Sequence, residues 1–94
     1  MSGRTIVLRI HAAKRMLQRG IRIDDVEITV ETGEVIETYP DDTPFPSRLL
    51  LASAGGRVLH VVAADEPETT VTYVITAYYP DLDQWDAGCR RRRT

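Results

Sequence analysis

Five nitrogen-bearing side chains recur at helical spacing near the start of the chain: His11, Lys14, Arg15, Gln18 and Arg19. On a helix that advances about 100° per residue, they lie within about 140° of arc on one side. A basic stripe of this kind suits a phosphate backbone, and arginine recognises phosphate or carboxylate through a planar fork of donors. We therefore predict that Lys14, Arg15, Gln18 and Arg19 bind nucleic acid or another anion.

The same stripe has a second interpretation, a solvated charged face whose aliphatic stems pack on the protein. His11, Lys14 and Arg15 lie near the N-terminus of the predicted helix, where the helix dipole disfavours positive charge. A bound anion would offset that cost. The residue types leave both interpretations open.

Two histidines and two arginines are the candidates for catalysis, namely His11, Arg15, His60 and Arg48. His11 is the candidate general acid or base, because it lies at the predicted helix start beside Arg15. His60 or Arg48 would assist, although the apolar neighbours of His60 also suit a purely structural histidine. The histidines lack metal-site spacing, so the sequence predicts neither a metal nor a cofactor.

Apolar periodicity predicts an α+β fold, with two N-terminal helices packed on one antiparallel sheet of four to five strands. The predicted helices are residues 11–21 and 23–33, and the predicted strands are residues 4–10, 34–39, 48–54, 57–64 and 70–79. Strand-like alternation competes with a helix over residues 24–32. A capping box between Asp24 and Glu27, together with a hydrophobic staple, favours the helix.

Further local patterns predict which residues face one another. The first helix should bury one face and stop at a glycine; that face comprises Ala12, Ala13, Met16, Leu17 and Gly20. Gly55-Gly56 predicts a two-residue hairpin that places His60 opposite Leu51 and Arg48 opposite Ala63. Residues 70–79 should form one alternating strand, with Val71, Tyr73, Ile75 and Ala77 on one side and Val74 as the exception.

Composition indicates a single domain over residues 1–94, with 43% hydrophobic residues and a formal net charge of −2. Its cations are concentrated in residues 9–22 and in Arg90 to Arg93, and residues 88–94 are predicted to be a flexible basic tail. Cys89 is the only cysteine, which suits a reducing compartment. With neither a signal-peptide pattern nor a membrane-spanning apolar run, we expect a cytoplasmic protein.

Short motifs are spread over nearly the whole chain. They are His11-Ala-x-x-Arg-Met-x-x-Arg-Gly-Ile21, Gly33-Glu-Val-Ile-Glu37 with Tyr39-Pro-Asp-Asp42, Pro46-Ser47, Leu59-His-Val-Val62, and Tyr79-Pro-Asp81 with Trp85. Together they resemble an uncharacterised bacterial family that is catalogued only as a domain of unknown function (a DUF-type family). The resemblance implies a helix-capping Ser or Thr two residues before His11, where this chain has Arg9.

In the order of its elements, that family is distantly similar to the small toxins of RelE and BrnT type, which are ribonucleases. The resemblance implies a toxin-like protein that interacts with RNA, or a metal-independent endoribonuclease. The alternative hypothesis is a non-catalytic interaction module that binds an acidic protein partner such as an antitoxin. Neither hypothesis involves a membrane, and the sequence leaves the oligomeric state open.

Overall fold

The computed structural model describes residues 4–94 and has the predicted α+β fold. Its elements, in chain order, are β1 (Thr5–Leu8), α1 (Ile10–Arg19), α2 (Ile23–Thr32), β2 (Glu34–Tyr39), β3 (Ser47–Ala54), β4 (Arg57–Asp65) and β5 (Val71–Tyr78). In this described part of the chain, neither helix is long and apolar enough to cross a membrane.

The five strands form one sheet in the order β1-β5-β4-β3-β2. β2 to β5 pair antiparallel as predicted, whereas β1 lies parallel to β5, so the complete sheet is mixed. Parallel neighbouring strands need a long connection, and here the connection consists of both helices and the strands β2 to β4. α1 packs against β5, and α2 packs against β3 and β4. Their buried residues form one core with the strands, on what we call the helix face of the sheet.

α1 ends as predicted, because Gly20 adopts the left-handed conformation with φ of 67°. Its buried face centres on Ala12 and Met16. Leu17 was predicted to share that face but is 83% exposed. It lies about 140° around the helix from Ala12, which turns it away from the sheet.

α2 confirms the helix over the ambiguous stretch, but the predicted capping box is wrong. The N-cap residue is Arg22, and it makes no side-chain capping hydrogen bond. Asp24 instead forms an exposed ion pair with Arg22 at 3.5 Å. Gly33 follows the helix in an extended conformation. A Cβ there would lie 2.4 Å from the carbonyl oxygen of Thr29, so close packing explains this glycine.

The hairpin between β3 and β4 matches its prediction. Gly55 and Gly56 have φ values of 62° and 80°, which suit a tight two-residue turn. The register pairs Leu51 with His60 and Arg48 with Ala63, as predicted. The positions of the catalytic candidates along these two strands were therefore predictable from the turn alone.

β5 departs from the predicted alternation because it contains a bulge. Val62 pairs with Thr76, whereas Ala63 pairs with Val74, so Ile75 has no partner in β4. The extra residue reverses the side-chain alternation beyond it. Val74 and Ala77 consequently both lie in the helix-face core. Residues on the opposite side of the sheet, which we call the second face, include Tyr73 and Tyr78.

Residues 80–94, which we call the C-terminal segment, cover one end of the second face. Trp85 is 2% exposed and Cys89 is 5% exposed, and an isolated β-bridge joins Trp85 to Arg92. Residues 88–94, for which a flexible basic tail is predicted, lie against the sheet in the structure. Their arginines bind β2: Arg90 contacts Glu34, and Arg92 contacts Glu37.

Candidate functional site

Three side chains of α1 form a row beside β5. His11, Arg15 and Arg19 follow one another at intervals of one helical turn and are all exposed. β1 pairs with β5 only as far as Val74. Beyond it, Arg19 Nη1 donates to the carbonyl oxygen of Ala77 at 2.8 Å. We call these three residues the α1 row, and it runs along the half of β5 that β1 leaves uncovered.

No described carboxylate forms an ion pair with the α1 row, although Asp42 and Asp81 line the cavities at its two ends. Among the described residues, five arginines form ion pairs with carboxylates: Arg4, Arg22, Arg48, Arg90 and Arg92. In the same part of the chain, none of the carboxylates pairs with Arg15, Arg19 or Lys14. Lys14 and Gln18 are exposed and lie further around the helix from the sheet. Apart from the Arg19 donor that binds the Ala77 carbonyl oxygen, the row and these two neighbours present their donors to solvent.

A cavity of about 480 Å³ adjoins the His11 end of the row. His11 lines it from α1 and Arg9 lines it from the N-cap position of that helix. Asp42 and Phe45 line it from residues 40–46, which we call the proline-rich loop. Tyr73 of β5 contributes the third side. The cavity combines a histidine, a carboxylate, a guanidinium and two aromatic rings, which together can hold a flat polar ligand.

A second cavity of about 380 Å³ adjoins the other end of the row. Arg19 lines it together with Tyr78, Tyr79, Gln84 and Trp85. The guanidinium carbon of Arg57 lies 3.5 Å from the centroid of the Tyr79 ring, a close cation–π contact. Aromatic rings thus flank the α1 row at both ends.

His60 is buried on the second face beneath the C-terminal segment. Its ring meets that of Trp85 edge-on, with centroids 4.6 Å apart, and the side chain is fully inaccessible. Nε2 lies 2.8 Å from the carbonyl oxygen of Cys89, and a carbonyl only accepts, so Nε2 carries the hydrogen. Nδ1 then accepts from the hydroxyl of Tyr78 at 3.3 Å. Both ring nitrogens are occupied in the neutral tautomer, which is the structural arrangement that the sequence allowed.

Burial lowers the pKa of His60, and it outweighs the opposing effects of the Cys89 carbonyl and Glu37. The folded protein therefore binds a proton at this ring less readily than the unfolded chain does. Stability that depends on the neutral ring is complete above the unfolded pKa of about 6.5 and decreases as the pH falls below it.

We expect the free energy of unfolding to fall as the pH is lowered through about 6.5, because only the unfolded chain then gains the proton on His60. Urea denaturation at a series of pH values measures this dependence. His60→Gln serves as the comparison, since both proteins retain His11 and its contribution cancels in the difference. Parallel pH profiles for the two proteins would show that His60 does not control the effect.

A second titratable cluster ties β2 to the C-terminal segment. The Tyr39 hydroxyl donates to Glu37 Oε1 at 2.6 Å, and Arg92 Nε donates to Glu37 Oε2 at 3.0 Å. Burial raises the pKa of Glu37, but the bonds from Tyr39 and Arg92 outweigh it and leave the pKa below its usual value. Burial, with the bond to Glu37, raises the pKa of Tyr39 to about 12. This cluster is satisfied internally and holds the segment in place.

The four predicted catalytic residues do not meet at one place. His60 pairs with Tyr78, five residues from Tyr73 beside the His11 cavity, or about 17 Å along a strand. Arg48 Nη1 binds Asp65 at 3.1 Å and lines a separate depression with residues of the proline-rich loop. Only His11 and Arg15 remain neighbours, so the set that could act together is smaller than the sequence suggested.

The structure adds residues that the sequence did not mark as functional. Arg9 was treated only as a poor helix cap, yet its guanidinium lies 4.7 Å from the centroid of the Tyr73 ring. Phe45 stacks on Tyr73 with centroids 6.0 Å apart. The motif Tyr39-Pro-Asp-Asp42 was the available signal, because it starts the loop that reaches the cavity.

Comparison with protein-family models gives a match over most of the chain. A family model described as "Domain of unknown function (DUF4258)" matches residues 8–79, from the end of β1 to just beyond β5. No curated protein matches the chain, and no solved structure matches it. Among residues 4–94, no group of three His, Cys, Asp or Glu side chains is placed to hold a metal ion. The family match covers more than half of the chain, which therefore belongs to the DUF4258 family of domains of unknown function.

Proposed function

We propose that this protein is a toxin-like domain that binds single-stranded RNA along the α1 row. One observation carries the proposal: His11, Arg15 and Arg19 form an exposed line of donors that no described carboxylate pairs with. Positive groups spaced along a line match the repeating charge of a phosphate backbone. The formal net charge of −2 disfavours RNA binding over the protein surface as a whole, which would confine it to this row.

The rings beside the row favour RNA over an acidic protein partner. Tyr73 and Phe45 line the cavity at the His11 end, while Tyr78 and Tyr79 line the one at the Arg19 end. Proteins that bind single strands combine a positive groove with rings on which bases stack. An acidic partner such as an antitoxin would bind the same arginines, but its carboxylates would not need aromatic rings on which to stack.

The finer form of the proposal is a metal-independent endoribonuclease. His11 is exposed, lines a cavity with Arg9 and lies one helical turn from Arg15, so a candidate acid or base stands beside groups that can stabilise charge on a phosphate. The resemblance to RelE and BrnT-type toxins in element order was inferred from the sequence, and it supports this form by analogy. Binding and cleavage are therefore tested separately.

Fluorescence anisotropy with a labelled single-stranded RNA tests the binding proposal. We expect Arg15→Gln to weaken binding about tenfold at low salt, because a charge-assisted phosphate contact is lost. The log–log slope of affinity against salt should decrease by about 0.7, the value for one phosphate contact. Arg15 is the residue of choice, since Arg19 also holds the Ala77 carbonyl oxygen.

Arg22→Gln is the matched control. Arg22 is another exposed arginine, but it follows α1 and already pairs with Asp24. It should leave both affinity and salt slope unchanged, and both variants should unfold within about 0.5 kcal/mol of the parent. Equal RNA binding by the two variants, or no binding by the parent protein, would leave the α1 row as a solvated charged face.

A further inference from the structure

The cavity beside His11 has a more specific composition than RNA binding in general requires. Its volume of about 480 Å³ lies within the range of small-molecule pockets. One wall is aromatic: the Phe45 and Tyr73 rings are inclined by only 19°. Arg9 places its guanidinium over the Tyr73 ring at 4.7 Å. Nearly parallel rings and a guanidinium plane are the surfaces on which a nucleobase stacks.

Asp42 gives the same cavity an acceptor with a defined position. Its Oδ2 accepts a hydrogen bond from the hydroxyl of Ser47, a buried residue at the start of β3. Its backbone N–H donates to the carbonyl oxygen of Tyr39 at 3.2 Å. The carboxylate and its backbone are therefore both held in position, while Oδ1 and the second lone pair of Oδ2 remain available to a ligand.

A carboxylate in a fixed position distinguishes nucleobases by the hydrogen-bond donors that each base presents. Guanine presents two adjacent donors, N1–H and the exocyclic amino group, which a carboxylate accepts as a pair. Adenine and cytosine present one amino group beside an acceptor, and uracil presents one N–H between two carbonyl groups. The unpaired acceptors of these bases would face the negative carboxylate, which disfavours them.

We propose that this cavity binds a guanine nucleotide of the RNA, with the base against Phe45 and Tyr73 and its donor edge on Asp42. Arg9 and His11 then lie where the attached phosphate leaves the cavity. The inference rests on the proposed function, because it names the nucleotide that the RNA site selects. It goes beyond that proposal in assigning the choice of base to Asp42 of the proline-rich loop.

Titration of the full chain with guanosine, adenosine and inosine monophosphates, followed by NMR chemical shifts, tests this assignment. Guanosine monophosphate should bind about tenfold more tightly than adenosine monophosphate, a typical value for one bidentate base contact. Inosine monophosphate lacks the exocyclic amino group and should bind with intermediate affinity. The largest shifts should occur at the amides of Phe45 and Tyr73.

Asp42→Asn should abolish the preference, because an amide offers one acceptor and one donor in place of two acceptors. Asp41→Asn is the matched control, since Asp41 is adjacent and exposed but does not line the cavity. Thermal unfolding of both variants checks that the loop remains folded. Phe45→Leu removes the stacking surface independently and should weaken binding of all three nucleotides.

The outcomes separate this inference from the proposed function. Binding of RNA that depends on Arg15 but shows no guanine preference would overturn the inference and leave the function intact. A guanine preference that depends on Asp42, without any RNA binding, would support the cavity and overturn the function. Equal nucleotide affinities for Asp41→Asn and Asp42→Asn would remove the role assigned to the carboxylate.

Discussion

Trp85→Ala is expected to lower the free energy of unfolding by about 3–5 kcal/mol, the range for removing a buried aromatic side chain. Trp85 is only 2% exposed and covers the ring of His60. Arg92 packs on it with its guanidinium carbon 4.5 Å from the ring centroid. Loss of the indole would leave a cavity at the point where the C-terminal segment meets the sheet, and the surrounding strands could close it only in part.

Urea denaturation followed by circular dichroism measures the change. Leu82→Ala is the control, because Leu82 lies in the same segment but is 55% exposed, and it should cost less than about 1 kcal/mol. The thiol of Cys89, buried in the parent, should also react faster with a thiol reagent in Trp85→Ala. Equal costs for the two variants would mean that the segment is not docked in solution and would restore the flexible basic tail.

The elements that the sequence predicted well are those set by neighbouring residues. Gly20 ends α1, and Gly55-Gly56 turns β3 into β4, because each glycine provides a left-handed conformation that few other residues adopt. The hairpin then determines the register over its whole length, including the pairing of Leu51 with His60. α2 was also predicted, although the capping argument that supported it was wrong. The burial of Val26 against the sheet stabilises this helix instead.

The features that escaped prediction depend on packing between distant parts of the chain. The bulge at Ile75 reverses which residues of β5 face the helices, and no local pattern marks it. Leu17 was placed on the buried face because it is apolar, yet the orientation of α1 is set by Ala12 and Met16. The contact between His60 and Cys89 joins residues 29 positions apart, so the burial of His60 depends on where the C-terminal segment folds.

In the candidate site, too, the local features could be predicted from the sequence and the long-range ones could not. Helical periodicity alone aligned His11, Arg15 and Arg19, since residues four apart share a face wherever the helix packs. The cavities at the two ends required the loop before β3 and the segment after β5 to come close to that helix. Arg48 and His60 were grouped with His11 by residue type, but the fold separates them from His11. The motifs could not predict this separation, because they do not specify where β3 and β4 lie in the sheet.

His11→Asn is expected to slow RNA cleavage by about 10² to 10⁴-fold, the usual contribution of a positioned general acid or base. In the proposed reaction, the imidazole would take the proton of a 2′-hydroxyl as its oxygen bonds to the adjacent phosphorus. The bond from phosphorus to O5′ would break, and the leaving oxygen would take a proton from water. The products would be a 2′,3′-cyclic phosphate and a 5′-hydroxyl end, with Arg15 stabilising the extra negative charge on the phosphoryl oxygens.

The measurement is a time course with end-labelled single-stranded RNA in the presence of a chelator, with the 5′-hydroxyl and cyclic phosphate ends identified. Asparagine keeps a polar side chain of similar size, so RNA affinity by anisotropy should change no more than a few-fold. His60→Gln is the comparison, because a buried ring with both nitrogens bonded should leave the rate unchanged below its unfolding temperature. A parent protein that binds RNA without cutting it would be a binding module. Cleavage that is lost in His60→Gln and retained in His11→Asn would move the reaction to the second face, beneath Trp85.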